Sequence, residues 1–473
     1  MHTLSSPSSL IPLLLLVLSL EATFTWAASA ADWRTRSIYQ VITDRFALPT
    51  GSGIDPTACD PSKQQYCGGT WASITANLDY IQNMGFTAIW ISPVNQNIPG
   101  PTAYGYPYHG YWIADLTQLN DQFGTEQDLI NLSDELHKRG MYLMFDIVVN
   151  NVASTSLTPD YSQYMLKDAG VFCIGEVFGD PVPYTATYQG PTTLDSVLNF
   201  PQYSALTEAF SVSGPRNMSN LVDLFTQARD PQTGFSDPTL LGNFMENQDL
   251  PRWSNISVDP QSNWNALTFS FMSDGIPIVY YGQEQRFHGA ADPMNREPLW
   301  PSGYASTPTM QFIQILNQLR NQLVNASDWA TQPAQIISST NSTIFLAKGY
   351  VLSVMTNIGS PPANMSANMV GTGFESGQVM IDVVTCTQVI IGSQGSVNID
   401  YTKGGRAAIL LPEYYLRGTT ICPAAQALSY QASTDESPST SGTIVTASPG
   451  RPSILISAAF AVLLGALSCL GSA

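Results

Sequence analysis

Apolar positions recur along this chain in two alternating rhythms. In "SITANLDYIQNMG", Ile74, Leu78 and Ile81 fall at i, i+4 and i+7, one face of a helix that Gly85 stops. "FTAIWISPV" follows as a continuous apolar run, the mark of a strand buried on both faces of a parallel sheet. The pattern then returns. "TEQDLINLSDELHKRG" opens with Thr125 and Asp128 as a capping pair, stripes Leu129, Leu132 and Leu136, and stops at Gly140 before "MYLMFDIVV". A third copy ends in "LKDAG", with Gly170 before "VFCIGEVF". "SIYQVITDRF" reads as the first strand, and "LDSVLNF", "LLGNFMENQD" and "GIPIVYYGQEQ" as later ones. "SNLVDLFTQARD" and "WNALTFSFMS" read as intervening helices, "TMQFIQILNQLRNQL" as a closing one.

This alternation predicts an α/β fold with a parallel sheet, a (β/α)8 TIM-type barrel first. Polar residues gather at the strand C-termini: Asp44, Arg45, Asp146, Asn150, Glu176, Glu246, Asp249 and Glu284. That end of such barrels holds the active site. From Ile336 to about Cys422 the runs become short and β-like, which predicts a small all-β domain. One unit of the barrel is short. The stops at Gly85 and Gly140 leave room for a full unit, whereas only a loop and a helix stub fit between Val149 and Gly170. A barrel strand with its helix needs roughly 30 residues. Seven barrel strands are found, and a fourth between "MYLMFDIVV" and "VFCIGEVF" is not.

A length of 473 residues suits two domains plus tails. With 18 Lys+Arg against 36 Asp+Glu and a net charge of −18, a nucleic-acid partner is excluded and a neutral substrate fits. The first residues hold an apolar core, Leu10–Leu20, ending in Ala28-Ser29-Ala30, as in a secretory signal peptide. Near the end, small residues at Ser441-Gly442-Thr443 precede a polar spacer and an apolar tail from Ile454, as in a GPI-anchor signal with attachment at Ser441 or Gly442. A permanent membrane span is the competing reading, but no basic residues follow the tail. The expected layout is a signal peptide at 1–30, a truncated catalytic barrel at 31–335, a C-terminal β-sandwich domain at 336–423, a Ser/Thr/Pro-rich linker at 424–453 and the tail at 454–473. The expected product is a secreted monomer anchored to membrane or cell wall. Asn-x-Ser/Thr sequons at Asn131, Asn217, Asn255, Asn325, Asn341 and Asn364 agree with secretion. So does a disulfide-permissive setting, with Cys59–Cys67 and Cys386–Cys422 as the economical pairing. Cys173, inside an apolar strand, reads as a buried free thiol. His109 and His288 lack metal-ligand spacing and read as structural.

"IYQVITDRFA", "CGGTW", "GFTAIWISPV", "AYGYPYHGYW", "RGMYLMFDIVVNN", "CIGEVF", "NFMENQD" and "GIPIVYYGQEQ" together resemble the secreted fungal α-amylases, over about Ala31 to Cys422. The resemblance implies a retaining glycoside hydrolase with a (β/α)8 barrel, a calcium-binding insert after the third strand and a C-terminal β domain. It implies Glu176 as acid/base and Asp249 as the aspartate that stabilises the transition state. It implies substrate contacts at Gln64, Tyr104, Asn151, Gln248, Asp292 and Arg296, and a remnant calcium ligand at Asn150. Tyr104 alone would read as loop packing, and Asn150 alone as a turn residue. The family nucleophile is an Asp in a G-x-R-x-D segment on the fourth strand. No such segment occurs in this chain. The insert with most calcium ligands is also absent, and Asn150 alone cannot supply the six to eight oxygens that calcium takes. A skipped exon or a gene deletion would each produce this junction.

Two departures concern specificity. Asn151 and Gln248 stand where the family has histidines that touch the reacting glucose. Together with the anchor signal they resemble a GPI-anchored fungal subgroup of 4-α-glucanotransferases. The expectations are therefore an α-1,4-glucan hydrolase or transferase whose present form lacks its nucleophile, or a catalytically dead α-glucan-binding wall protein, or a chain that does not fold.

Overall fold

A computed structural model describes residues 27–148, 171–179, 181–212, 217–360 and 365–424. The expected signal-peptide core, Asn150, Asn151, Asn364 and the expected anchor site at Ser441 or Gly442 lie outside the described residues.

Seven short parallel strands build the barrel wall: β1 Ile38–Val41, β2 Ala88–Ile91, β3 Tyr142–Phe145, β4 Ile174–Gly175, β5 Ser196–Val197, β6 Gly242–Asn243 and β7 Ile276–Tyr280. Five form one sheet in the order β3-β2-β1-β7-β6. Ile38 lies opposite Ala88 and Ile278, and Trp90 opposite Met144. β4 pairs with β5 in parallel, and a parallel bridge from Leu198 to Gly242 joins that pair to β6. The wall therefore runs β3-β2-β1-β7-β6-β5-β4. Among the described residues no ladder joins β3 to β4. Among the described residues the wall is interrupted between β3 and β4, where the family's fourth strand belongs, and β4 occupies the place of its fifth.

Ile38, Ala88, Trp90, Met144, Leu198, Phe244, Ile276 and Ile278 pack together inside this wall. Trp33 joins them from the helix Ala30–Arg34, which Ser29 caps reciprocally with Asp32. Its ring meets Tyr142 edge-on at 5.2 Å and stacks on Phe172 at 5.6 Å. One N-terminal side chain thus touches residues on both lips of the opening.

The outer layer follows the apolar stripes. Helix Glu126–Lys138 buries Leu129, Leu132 and Leu136, and Thr125 and Asp128 cap each other. The segment read as one helix through Ile74 and Ile81 is two, Trp71–Ala76 and Leu78–Asn83. The break is at Asn77, whose amide donates to the Ser73 carbonyl at 2.8 Å and so competes with the backbone for its acceptors. The closing helix spans Pro308–Ala326. Beyond it, antiparallel strands from Gln335 to Pro412 form a six-stranded sheet and a two-stranded one, an all-β C-terminal domain. No described helix is long and apolar enough to cross a membrane.

Cys59–Cys67 and Cys386–Cys422 are disulfides. The free-thiol reading of Cys173 is corrected: it is disulfide-bonded and half-buried. Its strand is only two residues long and stands beside the opening, so the apolar run around it does not enclose it. The five described sequon asparagines, Asn131, Asn217, Asn255, Asn325 and Asn341, are all exposed.

Candidate active site

The acids at the strand ends divide into two groups. Asp44, Glu246 and Glu284 are wholly enclosed and serve the scaffold. Asp44 pairs with Arg45 at 3.1 Å and accepts the backbone N–H groups of Cys67 and Gly68, fixing the disulfide loop. Glu246 binds Arg252 at 2.9 Å and the Trp253 N–H. Glu284 accepts the hydroxyls of Tyr39 and Tyr80. Asp146, Glu176 and Asp249 form the second group, close enough for their charges to act on one another. Burial raises the pKa of Asp146 from 3.8 to about 7; the hydrogen bond from Tyr111 opposes that rise, and the charges of Glu176 and Asp249 add to it. Glu176 is solvent-accessible, yet desolvation and then Asp249 raise its pKa too. A carboxyl whose pKa is raised by burial and by a neighbouring acid is the kind of group that acid/base chemistry at a glycosidic bond requires.

Asp249 is tied from two sides. Arg296 Nη2 reaches its Oδ1 at 3.0 Å, and Gln248 Nε2 donates to its Oδ2 at 3.0 Å. Arg296 also holds Asp292 Oδ1 at 2.9 Å through Nη1. One guanidinium fork therefore spans two carboxylates, a geometry that a lysine's single ammonium cannot copy. Gln248 is buried; its carbonyl accepts from Gln40 Nε2 at 2.8 Å. With both ends engaged, it offers the cleft one remaining N–H. The structure thus gathers Gln248, Asp249, Asp292 and Arg296 into one network.

Gln64 and Tyr104 sit apart from that network, on two loops that touch. Tyr106 N–H donates to the Gln64 carbonyl at 2.7 Å. Gly105, at φ +86°, makes this approach possible, because a Cβ there would lie 2.4 Å from Gln64 Cβ. The turn leaves Tyr104 73% exposed, a ring face free for a sugar. The same loop returns to the acids. Tyr111 donates its hydroxyl to Asp146 Oδ2 at 2.9 Å. His109 is buried, and its Nδ1 accepts the Tyr111 N–H at 3.0 Å. Desolvation, then Arg296 and Arg45, push its pKa down to about 3, so it stays neutral.

Tyr111 and Asp146 are the site residues that the sequence reading left without a role, while His109, read as structural, is buried against Tyr111. The signal was present in "AYGYPYHGYW" and in the Asp146 strand end, but only the fold joins them. Calcium does not fit the described residues: they contain no group of three His, Cys, Asp or Glu that could hold a metal. Asn150 and Asn151 lie outside the described residues.

A parallel barrel with carboxyls at its strand C-termini, followed by a β domain, defines a barrel-type glycosidase. The catalytic-domain pattern of the α-amylases matches residues 40–163 and 154–344, and the pattern of their domain C matches 336–430. Alpha-amylase 1 of Schwanniomyces occidentalis is 34% identical, over 84% of this chain and 93% of its own. The alpha-amylase of Saccharomycopsis fibuligera is also 34% identical, over 83% and 94%. An α-amylase structure from Malbranchea cinnamomea superposes with a TM-score of 0.76 at 34% identity, covering 84% of this chain and 100% of that one. The chain belongs to the α-amylase family, glycoside hydrolases that act on α-glucans. The first of these alignments runs over 486 positions yet takes up only 84% of 473 residues, so that relative carries long stretches with no counterpart here.

Proposed function

We propose that this form of the chain holds neutral α-1,4-glucan in the cleft and turns it over at no detectable rate. The observation that carries this reading is the missing nucleophile aspartate. Glu176 and Asp249 are present, but no G-x-R-x-D segment exists, and among the described residues no strand stands in the wall between β3 and β4. Glu176, with its raised pKa, can still deliver a proton to a glycosidic oxygen. Asp249, fixed by Arg296, can still face positive charge on the sugar ring. A retaining reaction also needs a nucleophile about 5–5.5 Å from the acid, and none is assigned.

In the form that includes the missing segment, we propose a retaining 4-α-glucanotransferase, with hydrolysis as the competing outcome. Tyr104 stacks on a glucose ring, Gln64, Asn151 and Gln248 contact hydroxyls, and Asp292 and Arg296 grip the reacting sugar. The preference for transfer rests on Asn151 and Gln248 standing where the family has histidines. The layout proposed is 1–30 signal peptide, 31–335 barrel, 336–423 β domain, 424–453 linker and 454–473 tail, with a GPI anchor at Ser441 or Gly442. The product is a secreted monomer at the cell surface.

The test is calorimetry with maltoheptaose, followed by chromatography of the same mixture. Binding without new oligosaccharides supports the reading. Turnover that Glu176→Gln abolishes would overturn it, because another carboxylate would then be acting as nucleophile.

A further inference from the structure

A lone amide stands in the apolar interior of the barrel. Side chains alternate along β1: Tyr39 and Val41 pack outward with the helical layer, while Ile38 and Gln40 share the inner face. Ile38 meets Trp90 and Ile278 there. Gln40, opposite Trp90 and Tyr280 in the sheet, is 4% exposed. Its carbonyl Oε1 meets no donor among the described residues. A buried acceptor without a donor costs stability, so an unbranched apolar side chain would serve the fold at least as well. The other end of the amide is fully used.

Gln40 Nε2 donates to Gln248 Oε1 at 2.8 Å, and Gln248 Nε2 donates to Asp249 Oδ2 at 3.0 Å. This chain of bonds has one direction. A carboxylate oxygen only accepts, so Gln248 turns its NH2 to Asp249 and its carbonyl to Gln40. Gln40 must then donate, which sends its own carbonyl into the apolar layer. The Gln248 backbone is clamped independently. Its carbonyl accepts from Asn295 Nδ2 at 2.9 Å and from Arg296 Nε at 3.0 Å. What Gln40 decides is therefore the Gln248 side chain alone.

We infer that Gln40 is a positioning residue of the glucan site. Acting through Gln248, it fixes Asp249 Oδ2 and leaves the second Gln248 N–H as a donor for a sugar oxygen. The inference rests on the reading that this site holds α-glucan. A side chain of the same shape that cannot donate would strand Gln248 Oε1 in the interior without a partner. The amide then swings toward water to hydrate that oxygen and lets go of Asp249. Asp249 keeps Arg296 at Oδ1, and its second oxygen is free to turn. The barrel interior loses no apolar contact in the exchange. Site and fold thus respond in opposite directions, which a purely structural glutamine does not produce.

Gln40→Met in the full chain tests this, because methionine keeps the unbranched shape and removes the donor. Its Tm is expected to stay level or rise. Its maltoheptaose affinity by calorimetry is expected to fall about two- to tenfold, the usual size for one lost hydrogen bond. Gln248→Met should cost as much, and the double variant no more, since Gln40 acts through Gln248. A further readout needs no ligand. With isotope-labelled nitrogen in the glutamine side chains, the Gln248 Nε2 signals are assigned by their loss in Gln248→Met. They should be protected from solvent exchange in the native chain and lose that protection in Gln40→Met. A Gln40→Met chain that unfolds or melts lower would make Gln40 structural and overturn the inference. So would unchanged Gln248 signals, or affinity losses that simply add. If the native chain showed no maltoheptaose affinity, the glucan reading would fall, while protection lost in Gln40→Met would still support the placing of Gln248 by Gln40.

Discussion

The Tyr111 hydroxyl donates to Asp146 Oδ2 at 2.9 Å, joining a loop to the end of β3. Because Asp146 feels both Glu176 and Asp249, this bond holds the third member of a carboxyl cluster in place.

That cluster makes folding pH-dependent. Asp146 titrates near 7 in the folded chain against 3.8 ordinarily, so between about pH 4 and 7 the folded state keeps a proton that the unfolded state releases. Stability falls as pH rises through that window and levels off above it. Glu246, raised to about 7, and Asp44, raised to about 6, act in the same direction. Thermal unfolding is expected to give a lower Tm at pH 8 than at pH 5. Asp146→Asn, which keeps an acceptor for Tyr111, should flatten the slope; an unchanged slope would remove Asp146 from this account.

Trp33 is the side chain that touches both lips of the open wall. Trp33→Ala is expected to destabilise by about 3–5 kcal/mol, the usual range for removing a large buried aromatic. Trp33→Phe should lose less, since a smaller ring can still reach Tyr142 or Phe172. Urea unfolding midpoints decide it, and a loss below about 1 kcal/mol would show that the lips are held by other contacts.

The wall strands were legible because each lies in a continuous apolar run ended by a glycine stop or polar residues. The absent strand was legible as a shortage of residues. Trp33 was not, because a lone tryptophan just after an apolar N-terminal run carries no periodicity. The Tyr111–Asp146 bond was not either, since it joins residues 35 positions apart through a loop no pattern places. Asp44, Glu246 and Glu284 looked like Glu176 and Asp249 in sequence; arginines, tyrosines and backbone N–H groups that only folding brings together turn them to structural use. Cys173 was misread because an apolar run was taken for burial, and its strand is too short to provide that.

Glucan affinity should separate the two halves of the cleft. Tyr104→Ala removes one exposed ring face and is expected to weaken maltoheptaose binding up to tenfold, matching about 0.5–1.5 kcal/mol for a stacked ring. Arg296→Ala should cost more than tenfold, because it leaves Asp249 and Asp292 facing each other uncompensated. Arg296→Lys should recover only part of that loss, as one ammonium cannot hold both acids in the same geometry. Calorimetry at fixed salt measures all three, and equal affinities for the Lys and Ala variants would deny the fork its role.

Restoring the relatives' segment between Val149 and Gly170 should switch chemistry on. The returning strand closes the wall between β3 and β4 and brings an aspartate opposite Glu176. Loss of a nucleophile costs about a millionfold in a well-studied hydrolase, so turnover should rise from undetectable to easily measured and vanish again in Glu176→Gln. The product pattern then reports the acceptor. A glycosyl-enzyme is resolved by water or by a sugar hydroxyl, whichever the site holds better at the reacting carbon. Gln248, fixed between Gln40 and Asp249, presents one N–H donor at the position where the family has histidine. An amide neither gains nor loses a proton between pH 5 and 8, so it cannot assist a water as an imidazole can. Digests of maltooligosaccharides by the restored chain should therefore contain glucans longer than the donor. Gln248→His together with Asn151→His should move the products toward shorter chains. Purely shorter products before those changes would make the restored chain an ordinary amylase.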